Sequence, residues 1–317
     1  MSWTGSQLVF RCEAAQVVMG VHSEPGELDP QGRPWPVYLT VLVDSGAPQV
    51  MAVHPETQSL TLATDLGPGA HTVQVFKRTE ALTGGLVLTG LTLGPGGQLL
   101  APPPRPLRHI EMIGNSITCG YGNLGESRDC KFSADTEDGY QAYGALAARR
   151  LGAAYTAVCY SGRGISVNYG GSTEGTLLEL YQQVLHEPGG PRYDFDGPAP
   201  SVVVINLGTN DFAGRIPDRI AFVDQYVALA QLIRQHYPDA GLVLLTGPMH
   251  GGERLATLRR YVDEVAAALQ QAGQARVWRL DLTPQGPLGY GCDYHPNLAQ
   301  HELNAQELID FLATRID

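Results

Sequence analysis

"IEMIGNSITCGYGN", residues 110–123, runs from a short apolar stretch into glycine, asparagine, serine and more glycine. A continuous apolar run that stops at a glycine reads as a strand covered on both faces, as in a parallel sheet. The serine that follows stands on a sharp, glycine-flanked corner at the strand's end. Downstream, "AAYTAVCY", "SVVVINLG", "GLVLLTGP" and "RVWRLDL" repeat the buried-strand pattern. They alternate with stretches of helical period at Tyr140–Leu151, Ile220–Tyr237, Arg254–Gln271 and Leu298–Ile316. On the second of these helical stretches, Phe222, Tyr226, Leu229 and Ile233 share one face. This layout predicts an open α/β sheet whose ligand edge is formed by loops leaving the carboxyl ends of the strands.

Upstream of residue 100 the pattern differs. "QLVFRC", "PVYLTVLV", "QVMAV", "HTVQVFK" and "LVLTGLTL" are short β-type runs between Gly, Pro, Asp and Ser turns, which predicts an antiparallel sandwich. Five prolines in "GPGGQLLAPPPRPLRH" stiffen the connection, because proline donates nothing to a ladder. The expected division is an all-β domain over 1–104 and an α/β domain over 105–317. A chain of 317 residues accommodates two such units.

Composition narrows the function. With 43% hydrophobic and 17% charged residues the chain has enough apolar side chains for a real core. A net charge of −11, with 21 scattered Lys and Arg, gives no basic stripe for nucleic acid. No window reaches the roughly 18 consecutive apolar residues of a membrane span. The first twenty residues lack the basic and apolar regions of a secretory signal, which leaves export undecided. Five cysteines without CxxC spacing disfavour a zinc knuckle and a full disulfide framework, while leaving room for one bridge of unreadable pairing.

Four loops carry chemistry: Ser116, "SGRG" at 161–164, "GTND" at 208–211 and "DYHPN" at 293–297. A serine hydroxyl is an effective nucleophile only beside a base, and acyl transfer needs fixed donors for an oxyanion. In this scheme Ser116 attacks, His295 carries its proton, and Asp293 fixes the imidazole tautomer. The oxyanion meets the N–H groups of Ser116 and Gly162 and the amide of Asn210. Bland roles compete: Ser116 as a helix N-cap, Asp211 capping a helix after "GTND", His295 as an idle loop residue, Asp293 bonding a nearby N–H. Tyr294 and Arg163 are candidates for a sugar groove, as are Tyr121 and Tyr160.

These blocks, in this order, resemble the SGNH (GDSL-type) hydrolases. With "SITCGYGN", "SADTEDGYQAYGALAARRLGA", "SGRGI", "GTNDF" and "CDYHPN", and with "WTGS" and "FKRTEA" upstream, the chain is most similar to family two carbohydrate esterases. That resemblance implies a jelly-roll sandwich before a flavodoxin-like three-layer SGNH domain. It also implies removal of O-acetyl groups from polysaccharides such as xylan or glucomannan, secretion, and no metal or organic cofactor. Two positions depart from the wider superfamily. Asn115 stands where GDS has a carboxylate, and Asp293 lies two rather than three residues before His295, so a Ser–His dyad aided by a main-chain carbonyl stands beside the triad. A lipase, thioesterase or O-acyltransferase, or a decayed carbohydrate-binding protein, are the alternatives.

Other motifs point elsewhere only superficially. "GYGNLG" at 120–125 satisfies G-x-G-x-x-G, but the polar stretch after it opens no amphipathic helix. The G-x-S-x-G elbow and H-E-x-x-H are absent, and "HEL" at 301 reads as solvated helix surface.

Overall fold

A computed structural model describes residues 1–186 and 189–316. The first part is a sandwich of eight strands: β1 (Gln7–Glu13), β2 (Val17–Pro25), β3 (Val37–Val43), β4 (Gln49–Val53), β5 (Ser59–Ala63), β6 (His71–Lys77), β7 (Gly84–Leu93) and β8 (Gln98–Leu100). They form a five-stranded sheet of order β4-β3-β6-β1-β8 and a three-stranded sheet of order β5-β2-β7, with antiparallel pairing throughout. Inward residues alternate with outward ones, so Val17, Met19, Val21, Leu39, Val41, Val73 and Val75 fill the space between the sheets. Gln98–Leu100 pairs with β1 and so extends the sandwich into the stretch expected to be connection. The turn at 94–97 before it and the proline run after it are free of strand.

The second part begins with β9 (His109–Gly114) and α1 (Ser116–Cys119), then α2 (Tyr143–Arg150), β10 (Ala154–Cys159) and α3 (Leu177–Leu180). It continues with β11 (Val202–Asn206), α4 (Arg219–His236), β12 (Gly241–Thr246), α5 (Gly252–Gln271), β13 (Val277–Asp281) and α6 (Leu298–Leu312). The five strands are parallel in the order β10-β9-β11-β12-β13. Counted within this sheet the order is 2-1-3-4-5, the flavodoxin-like arrangement, whose switch point lies between its first and third strands. β11 and β12 are buried along their whole length because helices cover both faces. α4 and α5 cover one face over Ile205, Leu242 and Leu244, while α2 and α6 cover the other over Ile110, Met112 and Val204. Phe222, Tyr226, Leu229 and Ile233 of α4 all face the core, as their spacing dictates. Among the described residues no helix is long and apolar enough to cross a membrane.

The register fixes where the loops start. Gly114 pairs with Cys159 of β10 and with Asn206 of β11, so three strands end level at the switch point. Ser116, Gly162 and Asn210 follow within a few residues of those ends.

Candidate active site

The corner after β9 is built for close packing. A Cβ on Gly114 would lie 2.0 Å from Thr118 Oγ1, so only glycine lets the strand turn directly into α1. Asn115, not Ser116, caps that helix: its Oδ1 accepts from the Ile117 N–H at 3.2 Å. Its amide nitrogen faces the Asn206 carbonyl at 3.5 Å. A carboxylate could offer no such donor, which gives the Asn in "GNS" a local reason. Ser116 is the first helical residue, so its N–H has no intrahelical acceptor.

His295 Nε2 lies 2.8 Å from Ser116 Oγ, across 179 residues of sequence. Its Nδ1 lies 3.0 Å from the main-chain oxygen of Asp293. A carbonyl only accepts, so Nδ1 carries the proton and Nε2 presents its lone pair to the serine hydroxyl. The imidazole packs on the Tyr121 ring at 4.2 Å, and Tyr121 stacks on Phe132 at 4.3 Å. Burial under these rings lowers the imidazole pKa to about 4, although bonds to the Asp293 and Cys292 carbonyls oppose the shift.

Asp293 thus meets the imidazole through its main-chain carbonyl and not through its carboxylate, the dyad arrangement expected beside the triad. That carboxylate accepts from Lys131 Nζ at 2.9 Å, the Phe132 N–H at 2.9 Å and the Tyr121 hydroxyl at 3.2 Å. Burial resists its ionisation, but these three donors outweigh it and hold the carboxyl below its usual range. Asp293 and Tyr294 both have left-handed backbone, with φ of 50° and 61°. Such a conformation costs roughly 1–2 kcal/mol per residue, so neighbouring contacts must enforce it. A disulfide from Cys130 to Cys292 anchors the turn from one side. The Asp293 N–H donates to the Cys130 carbonyl at 2.9 Å, and the Cys292 N–H to the Gly122 carbonyl at 2.9 Å.

On the neighbouring loops, Gly162 has φ of 77°, and Asn210 is buried with Nδ2 donating to the Arg163 carbonyl at 2.7 Å. An amide nitrogen has two protons, so one remains after the bond to Arg163. The space around Gly162 is open, with Tyr169 Cβ 3.8 Å from an added Cβ, so its backbone angle rather than crowding selects glycine. Asp211 does not cap a helix. Its carboxylate gathers the N–H groups of Ile165 at 3.1 Å, Ser166 at 2.7 Å and Val167 at 3.0 Å, with the Ser166 hydroxyl at 2.8 Å. It thus ties the "GTND" loop to the "SGRG" loop. Asp218 caps α4 instead, accepting from the Ala221 N–H at 2.9 Å.

Other expected positions fall in different places. Tyr294 is 54% exposed beside the site, with the Arg128 guanidinium 5.5 Å over its ring. Arg163 lies over Tyr160 at 5.0 Å and reaches the Glu174 carbonyl at 3.5 Å. Tyr160 is buried, its hydroxyl 3.3 Å from Glu27, and is a packing residue. His301 is buried rather than solvated: its Nδ1 accepts from the Tyr143 N–H at 3.2 Å, and burial takes its pKa down to about 3. It faces the first turn of α2, against which α6 packs. The Tyr121–Phe132 stack and Lys131 escaped the sequence reading, since nothing in "GYGN" or "CKFS" signals their distant partner.

With this geometry in hand, residues 112–303 match the GDSL-like Lipase/Acylhydrolase family and residues 1–103 match the carbohydrate esterase 2 N-terminal family. A protein named acetylxylan esterase / glucomannan deacetylase, from Cellvibrio japonicus, is 30% identical over 291 residues, covering 90% of this chain and 78% of that protein. The chain belongs to the family two carbohydrate esterases. Cellulase/esterase CelE of Acetivibrio thermocellus is 36% identical over 308 residues, or 97% of this chain, which spans only 36% of that relative's length. The structure of a family two carbohydrate esterase from Clostridium thermocellum in complex with cellohexaose superposes with a TM-score of 0.91 at 35% identity, over 99% of this chain and 93% of that one.

In this member of the family the Cys130–Cys292 bridge closes a span of 162 residues onto the Asp293 turn. Replacing both cysteines by serine is expected to cost about 2–5 kcal/mol in denaturant unfolding, the usual range for a long native loop. Turnover of an aryl acetate by the folded variant is expected to fall at the same time. Unchanged stability and unchanged turnover would show that the turn holds itself.

Proposed function

We propose that this chain is a serine esterase that removes O-acetyl groups from saccharides through an acetyl-enzyme, with Ser116 as nucleophile and His295 as general base and acid. The observation that carries the reading is the 2.8 Å contact between Ser116 Oγ and His295 Nε2, on an imidazole whose other nitrogen is held by a carbonyl. His295 takes the serine proton as Ser116 attacks the acetyl carbonyl. The developing oxyanion is received by the N–H groups of Ser116 and Gly162 and the free amide proton of Asn210. Collapse releases the sugar hydroxyl with the proton from His295. A water activated by the same imidazole then frees acetate and restores the serine.

The family supports the substrate class. Relatives named for acetylxylan and glucomannan deacetylation, and one solved with cellohexaose, support acetylated β-linked polysaccharides as substrates. Tyr294 and Arg163 line the approach in this proposal, Tyr294 offering an exposed ring face to a sugar. We place the division between sandwich and hydrolase at 104/105, within the exposed run between β8 and β9 that lacks regular structure.

Ser116→Ala is expected to abolish p-nitrophenyl acetate turnover with the fold intact, as is His295→Ala to within about tenfold. Asp293→Asn, which keeps the carbonyl and tolerates the left-handed backbone, is expected to lose much less. Wild-type turnover by Ser116→Ala, or equal losses in His295→Ala and Asp293→Asn, would contradict these roles. Acetate release from acetylated xylan and glucomannan, with poor use of butyrate and longer esters, tests the substrate class; a preference for long acyl chains would favour a lipase.

The base must be neutral to work, and its lowered pKa keeps it neutral in acid. The acid limb of kcat/KM is therefore expected to fall with a midpoint near about 4, leaving the rate flat through the region where an ordinary histidine titrates. A limb centred at the ordinary value would mean that the imidazole is solvated in the working enzyme.

A further inference from the structure

The stretch "KRTE", residues 77–80, leaves the end of β6 in the sandwich and enters the hydrolase. Arg78 pairs with Asp138 at 3.3 Å, its Nε donates to the Glu137 carbonyl at 3.1 Å, and its own carbonyl accepts from the Gly139 N–H at 2.9 Å. Glu80 goes further and is completely buried. Its Oε2 accepts from the Ser161 N–H at 2.7 Å and its Oε1 from the Ser161 hydroxyl. Ser161 immediately precedes Gly162, which has left-handed backbone and whose N–H is the one assigned above to the oxyanion.

Glu80 is itself held from three directions. Its N–H donates to Glu137 Oε2 at 3.0 Å, and its carbonyl accepts from Lys77 Nζ at 3.0 Å and Thr83 Oγ1 at 2.9 Å. Lys77 is fully buried among these groups, and burial lowers its pKa to about 8 while raising those of Glu80 and Glu137. Glu80, Glu137 and Cys119 present their ligand atoms within 4.8 Å of one another, but the Lys77 ammonium already supplies the positive charge a cation would bring. The cluster therefore reads as a brace. Burying three ionisable groups is costly, and a sandwich has no need of them for packing. What they achieve is a fixed carboxylate on both donors of the one residue before Gly162.

We propose that Glu80 is a positioning residue of the esterase, supplied by the sandwich, which clamps Ser161 so that the Gly162 N–H points at the developing oxyanion. This rests on the assignment of Gly162 in the proposed function. The sandwich thereby completes the catalytic site rather than merely accompanying it, and the hydrolase half alone lacks one wall of its oxyanion loop.

The test uses the full chain and reads kcat and KM separately on p-nitrophenyl acetate, with active sites counted by a serine-directed phosphonate. Glu80→Ala is expected to lower kcat about 10- to 100-fold with KM within about twofold, the range for a misaligned donor. Glu80→Gln should recover most of that loss, because its carboxamide oxygen accepts from the Ser161 N–H while the hydroxyl turns to accept from the amide. Ser161→Ala, which keeps the N–H bond, should lose only several-fold in kcat, and it reads the same contact if Glu80→Ala does not fold. Wild-type kcat in Glu80→Ala or in Ser161→Ala, a loss confined to KM, or a Gln variant no better than Ala overturns the proposal. Ser116→Ala in the same assay separates the two claims. If it still turns over, the esterase reading fails; if it is dead while Glu80→Ala equals wild type, only the role of Glu80 fails.

Discussion

The site depends on one main-chain hydrogen bond, from His295 Nδ1 to the carbonyl of Asp293. Two residues apart in sequence, these groups meet only because Asp293 and Tyr294 both take left-handed backbone, which swings the carbonyl under the imidazole. Left to itself the turn would relax to ordinary angles. The Asp293 carboxylate, the Cys130–Cys292 bridge and the Tyr121–Phe132 stack hold it against that tendency. A carboxylate that in other serine hydrolases would orient histidine is here spent on the backbone that orients it. A neutral carbonyl also stabilises an imidazolium less than a carboxylate does, which agrees with the depressed basicity of His295.

Around that bond the fold supplies convergence. Three parallel strands end level at the point where the strand order reverses, and each delivers one polar loop to the same edge. The loops then brace one another. Asp211 collects the N–H groups of residues 165–167, Asn210 holds the Arg163 carbonyl, and Glu80 grips Ser161 from the sandwich side. The positions of these loops are fixed in large part by two buried carboxylates, Glu80 and Asp211, that accept from main-chain N–H groups. Such groups fix backbone positions more rigidly than packing alone, because each lost acceptor would leave a buried donor unpaired.

Much of this was legible in the sequence, and the boundary of legibility has a physical cause. Apolar runs and helical periods report burial directly, so β9 to β13, α4, α5 and α6 lie within a few residues of their expected bounds. The meeting of Ser116 and His295, 2.8 Å apart, is legible because loops at the strand ends of a parallel sheet share one edge, whatever separates them in the chain. Contacts made by side chains across loops leave no such periodic trace. Asp211 looked like a helix cap because aspartate beside a glycine turn usually is one, whereas its partners lie 44 to 46 residues away. His301 looked exposed because its neighbour Glu302 is polar, yet the helix turns that histidine inward. The strand Val17–Pro25 gives a weak signal in the sequence because Gly20 and His22 dilute its β-type character, although its alternate residues fill the sandwich core. The bridge partners were unreadable, since spacing does not encode pairing. Whether a carboxylate or its own carbonyl meets the imidazole is decided by two backbone angles, which residue identity alone does not reveal.

The tautomer of His295 tests this account most directly. Nitrogen-15 NMR of histidine-labelled protein at neutral pH should show His295 protonated on Nδ1, and Asp293→Asn should leave that state unchanged, because the carbonyl that receives the proton is still there. If the Asn variant moves the proton to Nε2, or lets the two forms exchange, the carboxylate is the orienting group and the main-chain bond is incidental.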